Sequence, residues 1–378
     1  MTIPDSLTRA LPGQRVLFDS SRTAVIGVLE GEGVGREVIP ITLSLLNQLT
    51  ARTNRHFELR LGGVIGKPAL EAHGSSLTGE VVEFCRSISD VGGAVLCGPG
   101  GGRFVYDLRS RFDLFCKFTP LRPTPALSDT GVLRHEALEG VDIVAVRENV
   151  SGMYFGEWGV RPNAAGGTTA FHHSQYDEEV VERILKVAMN LACQRSGRLS
   201  LTVKRGGLPS ISRLWEEKAM ELAQPFGLQV RILDIDNAVY QLIANPRDFD
   251  VVVSPNMFGD VLADCGSVLI GSRGMSYSGN FSPGGFSVYQ TGHGSAWDIA
   301  GQDMANPVGQ IQSLAMLLRE SFDWPAGARA LESAVATTLA QGYRTRDIAG
   351  PASRIVGTRE LGSLIGATLS EQLVGTEL

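Results

Sequence analysis

TAVIGVLEGEGVGREVIPITLSLLNQL, residues 23–49, decides the architecture. Its apolar opening, Thr23 to Leu29, reads as a buried strand, EGEGVG as a glycine-punctuated turn, and Arg36 to about Leu49 as a helix with apolar residues at helical spacing. The same alternation returns in GGAVLCG (92–98), VDIVAVR (141–147), LSLTVKR (199–205), LQVRILDID (228–236) and FDVVVSPN (249–256). Each is a short apolar run followed by a loop and usually a helical stretch. The predicted class is therefore α/β, with central strands buried on both faces. Glycine-rich stretches at 98–102, 155–167 and 271–285 are candidate loops or hinges. EGEGVG lacks GxGxxG spacing, and no acidic residue at a clear second strand end supports it, so it is not read as a dinucleotide phosphate loop.

Length and charge narrow the function. A chain of 378 residues can bury one large core or two ordinary ones. Its net charge of −6, with no cluster of Lys and Arg along a helix face, lacks the electrostatic footprint of a nucleic-acid binder. No stretch approaches the ~20 apolar residues of a membrane span, and the N-terminal MTIPDSLTRALPGQR has no long apolar segment, so a cytoplasmic location is expected. Cys85, Cys97, Cys116, Cys193 and Cys265 are odd in number and without CxxC spacing, which points to reduced thiols.

Four constellations carry chemistry. In NMFGDVLADCGS (256–267), Asp260 and Asp264 stand four apart at the start of a helix, hence on one face, where two hard carboxylates can hold Mg2+ or Mn2+. An isolated DxxxD is more often a solvated helix face; Asp236, a third carboxylate at a strand end, changes that balance. In VAVRENVSGMYFGEWG (144–159), Arg147 offers a bidentate fork to a carboxylate and Tyr154 can pass a proton to an enol carbon. Lys204, ending LTVK, is either solvated or a partly desolvated base. TGHGSAWDIAGQDMANP (291–307), dense in glycine and small polar residues, lets backbone N–H groups approach a nucleotide.

In combination and in this order, RENxxxxYxG (147–156), NxxGDxLxD (256–264) and HGSAxDIAGxxxANP (293–307) resemble the β-hydroxyacid oxidative decarboxylases, the family of isocitrate, isopropylmalate, homoisocitrate and tartrate dehydrogenases. The resemblance runs from Ala24 to about Ala367 and implies an isopropylmalate-dehydrogenase-like two-domain α/β fold with non-Rossmann nucleotide binding. It implies a discontinuous large cofactor-binding domain, 1–114 and 272–378, and a small domain, 115–271, carrying the dimer interface. It also implies a homodimer whose active sites are shared between subunits. On that resemblance Asp236, Asp260 and Asp264 bind the metal, with Asp236 reaching the partner's site. Arg109 and Arg147 clamp the malate carboxylates, Lys204 accepts the hydroxyl proton, and Tyr154 protonates the enol after CO2 leaves. His293, Gly294, Ser295, Ala296, Asp298, Ile299 and Asn306 bind the cofactor. Asp298 and Ile299 stand where NADP-dependent relatives carry Lys and Tyr; a carboxylate there accepts a ribose diol and repels a 2′-phosphate, which favours NAD.

The chain departs from the family at informative places. LRSRFDLFCKFTPLRP (108–123) puts Thr119 where a second clamping Arg stands, leaving Lys117 and Arg122 as candidates to compensate. Gly206 replaces an Asn, Gln290 an acidic residue, and Trp297 a Pro beside the nucleotide loop, where it either stacks on a ring or fills an apolar gap. GPGGGRFVYDLR (98–109) lacks a Leu-rich pattern and brings Arg103 to the region that reads the 3-substituent. Arg103 there either favours an anionic group or projects into solvent. The expected activity is oxidative decarboxylation of an unusual 3-substituted malate. Isopropylmalate, isocitrate or tartrate dehydrogenase proper is the alternative within the family, and a non-catalytic regulatory subunit the alternative outside it.

Overall fold

A computed structural model describes residues 6–12, 23–53 and 55–374. The chain ends at 1 and 378 expected for the large domain, and most of the N-terminal stretch examined for a secretory segment, lie outside those residues. Twelve strands matter here: β1 Ala24–Leu29, β2 Phe57–Leu61, β3 Ala94–Cys97, β4 Cys116–Leu121, β5 Ile143–Glu148, β6 Trp158–Pro162, β7 Thr168–His172, β8 Leu199–Val203, β9 Val230–Asp234, β10 Val251–Ser254, β11 Tyr277–Phe281 and β12 Ser287–Thr291. Ten form one sheet in the order β2-β1-β3-β12-β11-β4-β5-β10-β8-β9.

Two parallel blocks make up this sheet. β2-β1-β3-β12 run together, as do β5-β10-β8-β9, while the pairs β12·β11, β11·β4 and β4·β5 are antiparallel. The inner strands are buried along their whole length, as continuous Val/Ile/Leu runs dictate when helices cover both faces. The edge strand β2 instead alternates in exposure and carries the Glu58–Arg60 ion pair, a charged edge that discourages further pairing. One apolar core joins both blocks, from Ile26 and Val28 through Phe118 and Val146 to Leu201 and Val253. The helix read from Arg36 to about Leu49 spans Gly35–Thr50.

β6 and β7 stand apart as an antiparallel hairpin. Trp158 and Val160 are exposed on it. All five cysteines are unbonded. No helix of the described residues is long and apolar enough to cross a membrane.

Candidate active site

Parallel strands deliver side chains at their C-terminal ends, and the site grows from there. Arg147, next to last on β5, is 3% exposed. Its Nε and Nη2 donate to Asn256 Oδ1 at 3.0 and 2.8 Å, and its Nη1 donates to Asp260 Oδ1. Asn256 opens the helix Asn256–Gly266 that follows β10, and its Nδ2 donates to the Ser151 carbonyl at 2.9 Å. That helix can lie against Arg147 because residue 259 is glycine: a Cβ there would meet Arg147 Cβ at 2.9 Å. Tyr154, from the short turn after β5, donates its hydroxyl to Asp260 Oδ2 at 3.0 Å. Asp264 follows one helical turn later, paired with Arg273 at 2.9 Å.

Two further cations face this cluster. Arg109, in the last turn of the helix Phe104–Arg111, is buried with Nε lacking a hydrogen-bond partner, and its guanidinium packs 5.8 Å from the Tyr106 ring. Lys117 on β4 lies directly across from Arg147 on β5. Thr119, two residues on, pairs with Ala145 and is buried. Arg122 is elsewhere: it binds Asp142 at 3.0 Å, which removes it as a replacement for the missing Arg.

The charges perturb one another. Burial, with Arg147 beside it, brings Arg109 down to about 9, so it is still a cation at neutral pH. Desolvation would raise Asp260, but Arg147, Lys117 and Arg109 outweigh it and hold the carboxyl below its ordinary value. Asp264, farther from those cations, is raised by desolvation and by the Asp260 charge, against the pull of Arg273. Desolvation and the Asp260 carboxylate push Tyr154 up to about 12, so it keeps its proton at neutral pH.

Lys204 and Asp236 form a separate, exposed group. Lys204 follows β8, and Asp236, read from sequence as a strand end, lies two residues beyond β9 in the first turn of the helix Ile235–Ala244. The ammonium donates to Asp236 Oδ1 at 2.5 Å, and this bond raises the lysine and lowers the aspartate. Among the described residues no three His, Cys, Asp or Glu side chains of one chain gather as a metal site. Asp236 is thus not brought to Asp260 and Asp264 within the protomer.

The loop 292–307 is braced by the segment once compared with a phosphate loop. Glu32 accepts from Ser295 Oγ and from the Lys67 amide, both at 2.5 Å, and the Val34 amide donates to the Ser295 carbonyl at 3.0 Å. Gly33, at φ +56°, permits that approach, since a Cβ would lie 1.9 Å from the Ser295 carbonyl oxygen. Glu37 accepts from the Gly301 and Asp303 amides at 2.7 and 3.1 Å, and Ile299 and Ala300 pack on Val34 and Val38. Glu32 and Glu37 were missed from sequence; two carboxylates flanking a glycine turn were their signal. Ala296 sits at φ +43°, His293 Nδ1 donates to the Gly294 carbonyl at 2.8 Å, and burial holds that imidazole below its ordinary value. Asp298 and Trp297 are exposed, with Lys67 Nζ 6.0 Å from the Trp297 ring. Asn306 Oδ1 accepts from the Val308 amide at 3.0 Å, and its Nδ2 donates to Asp347 at 3.1 Å.

Arg103 lies over an aromatic wall with its side chain 41% exposed. Its guanidinium lies 4.5 Å from the Trp158 ring and 5.4 Å from Tyr106, with long contacts of 3.4 Å to the Tyr154 carbonyl and to Asp107. Tyr106 meets Tyr154 edge-on at 5.2 Å. Together these residues wall one side of the cation cluster.

A buried nest of cations facing two carboxylates, with a protonated phenol and a braced glycine loop, has the chemistry to bind a small polycarboxylate. Comparison with known proteins supports this class. Residues 25–365 match the family described as isocitrate/isopropylmalate dehydrogenase. The 3-isopropylmalate dehydrogenase of Gloeobacter violaceus is 39% identical over 352 residues, covering 89% of this chain and 96% of the relative. That of Desulfitobacterium hafniense is 39% identical over 359 residues, covering 91% and 99%. In fold, the crystal structure of isocitrate dehydrogenase from Methylococcus capsulatus superposes with a TM-score of 0.81 at 24% identity, covering 92% of this chain and all of that one. The chain belongs to the isocitrate/isopropylmalate dehydrogenase family of enzymes, which decarboxylate a hydroxyacid oxidatively.

Proposed function

We propose that this enzyme uses NAD and Mg2+ or Mn2+ to oxidise and decarboxylate a malate whose 3-substituent differs from the isopropyl group. The observation that carries this reading is the convergence on Asp260 of Arg147 and Tyr154, from separate segments, beside the unpartnered Arg109. Arg109 and Arg147 bind the carboxylates. Both metal donors in the protomer are carboxylate oxygens one helical turn apart, which suits a hard divalent cation, and Asp260 and Asp264 would hold it. Bound there, it supplies electrophilic polarisation of the hydroxyl-bearing carbon and its carboxylate. Tyr154 holds its proton at Oη until an enol carbon accepts it.

Lys204 is the base in this reading, and it comes from the partner with Asp236. Three features favour a homodimer with shared sites. The Lys204–Asp236 pair is open to solvent, Tyr240 and Val261 are exposed on the adjoining helices, and the β6·β7 hairpin pairs with no other strand among the described residues. Within one chain Asp236 keeps Lys204 protonated. Seating the pair against Arg109, Arg147 and Lys117 would oppose that bias and favour the neutral amine a base requires. The domain division at 115–271 is part of the same reading: β4, β5, β10, β8 and β9 all fall inside it and the other five sheet strands outside. So is a cytoplasmic location.

The exposed Asp298 carboxylate supports NAD over NADP, and His293, Gly294, Ser295, Ala296 and Ile299 shape the loop that receives the nucleotide. Arg103, held at the wall by weak contacts only, keeps donors for an anionic 3-substituent. The test is NADH formation with Mg2+ or Mn2+ across malates bearing alkyl, aryl, carboxyalkyl and phosphonoalkyl groups, with CO2 release measured in parallel. Metal-dependent turnover with CO2 is expected. Turnover without CO2 would leave oxidation alone, and preference for the alkyl member would discard the role of Arg103.

A further inference from the structure

Lys117 is a buried lysine whose ammonium makes no hydrogen bond or ion pair with any described residue. Burying an ammonium unpaired is costly, so a lysine at this depth needs a reason. Its surroundings sharpen the question. On β5 its direct neighbour is Arg147, on β11 it is Asn280, and Arg109 approaches from the helix before β4. Burial, with Arg109 and Arg147 adding to it, drags the ammonium down to about 7, against the attraction of Asp260 and Asp264. The lysine is thus repelled by two cations and satisfied by none of its neighbours, an arrangement that becomes favourable once an anion enters among the three.

Strand geometry says which anion. Side chains two residues apart on a strand share a face, so Lys117 and Thr119 point to the same side of β4. A cation at 117 starts about 7 Å nearer the Arg147 end of the strand than one at 119 would. A lysine there, reaching a single point, can therefore serve where a longer fork from 119 is missing. Arg122, the other candidate, is engaged with Asp142.

We propose that Lys117 is a substrate-binding residue whose ammonium joins Arg109 and Arg147 in holding a carboxylate of the hydroxyacid. The inference rests on the malate reading above for its substrate class. It implies that the carboxylate is bound by two guanidinium forks and one ammonium, nearer the Arg147 end of β5 than a cation at 119 would hold it.

The test compares K117M and K117R with the unsubstituted enzyme. Methionine fills the space and removes the strained charge, so K117M is expected to fold and to melt at an equal or higher temperature. A structural counter-charge for Asp260 and Asp264 would instead lower the melting temperature. In turnover, K117M should lose roughly 10- to 100-fold in kcat/KM for the hydroxyacid, the range of a hydrogen bond to a charged group, with KM for NAD unchanged. K117R should recover most of it. Binding is read separately as the rise in melting temperature caused by malate with Mg2+, which K117M should lose and K117R keep. Kinetics of K117M within threefold of the unsubstituted enzyme, or an undiminished malate shift in K117M, overturns the role of Lys117 alone. Malate binding that K117M abolishes, in an enzyme that turns over no malate, supports Lys117 and overturns the oxidative reading. No malate shift in the unsubstituted protein overturns the role.

Discussion

Arg147 and Lys204 stand at the ends of two strands of one parallel block, β5 and β8, with β10 between them, yet their surroundings are opposite. Arg147 is buried, fixed by Asn256 and Asp260, and ringed by other ionisable groups whose pKa values are all displaced. Lys204 is exposed and paired only with Asp236. A solvent-exposed ion pair adds little to stability, whereas a buried one must be completed or it destabilises the fold. The difference teaches that the first group is a cluster preassembled by the fold and the second a pair of reagents open to solvent. In the proposed dimer each cluster receives the pair from its partner.

Several substitutions would break or sharpen that contrast. The largest effect is expected for D260N, which should cut metal-dependent turnover about a thousandfold, several kcal/mol of lost stabilisation; unchanged rates under Mg2+ titration would end the metal assignment. Next comes complementation. Y154F and K204M should each be nearly inactive, but subunits mixed at random should recover about a quarter of full activity, because one site of each hybrid dimer combines the two intact halves. No recovery would place the whole site in one chain. On stability, D260A leaves Arg147 buried with one partner fewer and should cost about 3 kcal/mol, read from the denaturant midpoint, while D236A should leave that midpoint in place. D298K should narrow the preference for NAD over NADP by roughly tenfold; an unmoved ratio would shift the cofactor argument off this loop. Smallest is R103M, expected to lower turnover of an anionic 3-substituted malate about threefold relative to an alkyl one, since Arg103 is half exposed and already engaged.

Much of the contrast is absent from the sequence. Arg147, Tyr154, Asp260 and Asp264 could be singled out because they lie in two compact motifs whose local geometry, a strand end with its turn and one face of a helix, follows from short-range rules. Glu32 and Glu37 were not, although they brace the loop 292–307 from some 260 residues away in the chain. For Asn306, motif position alone does not reveal that its side chain meets the Val308 amide and Asp347. Lys117 and Arg122 were both candidates in sequence, Arg122 at a position not usually on the substrate; the fold sets Lys117 across from Arg147 and leaves Arg122, just beyond β4, bound to Asp142.

The sequence by itself determined the α/β class, the strand-end positions of the reactive side chains and the family, because alternating apolar runs and closely spaced motifs act over a few residues. The tertiary structure decided which cations are buried together, which carboxylate holds the loop and which aspartate stays apart. Those outcomes depend on strand order and register: β4 must lie antiparallel to β5 before Lys117 meets Arg147, and β10 must lie beside β5 before Asp260 does. Desolvation and Coulomb forces then act on neighbours that no local pattern in the chain specifies.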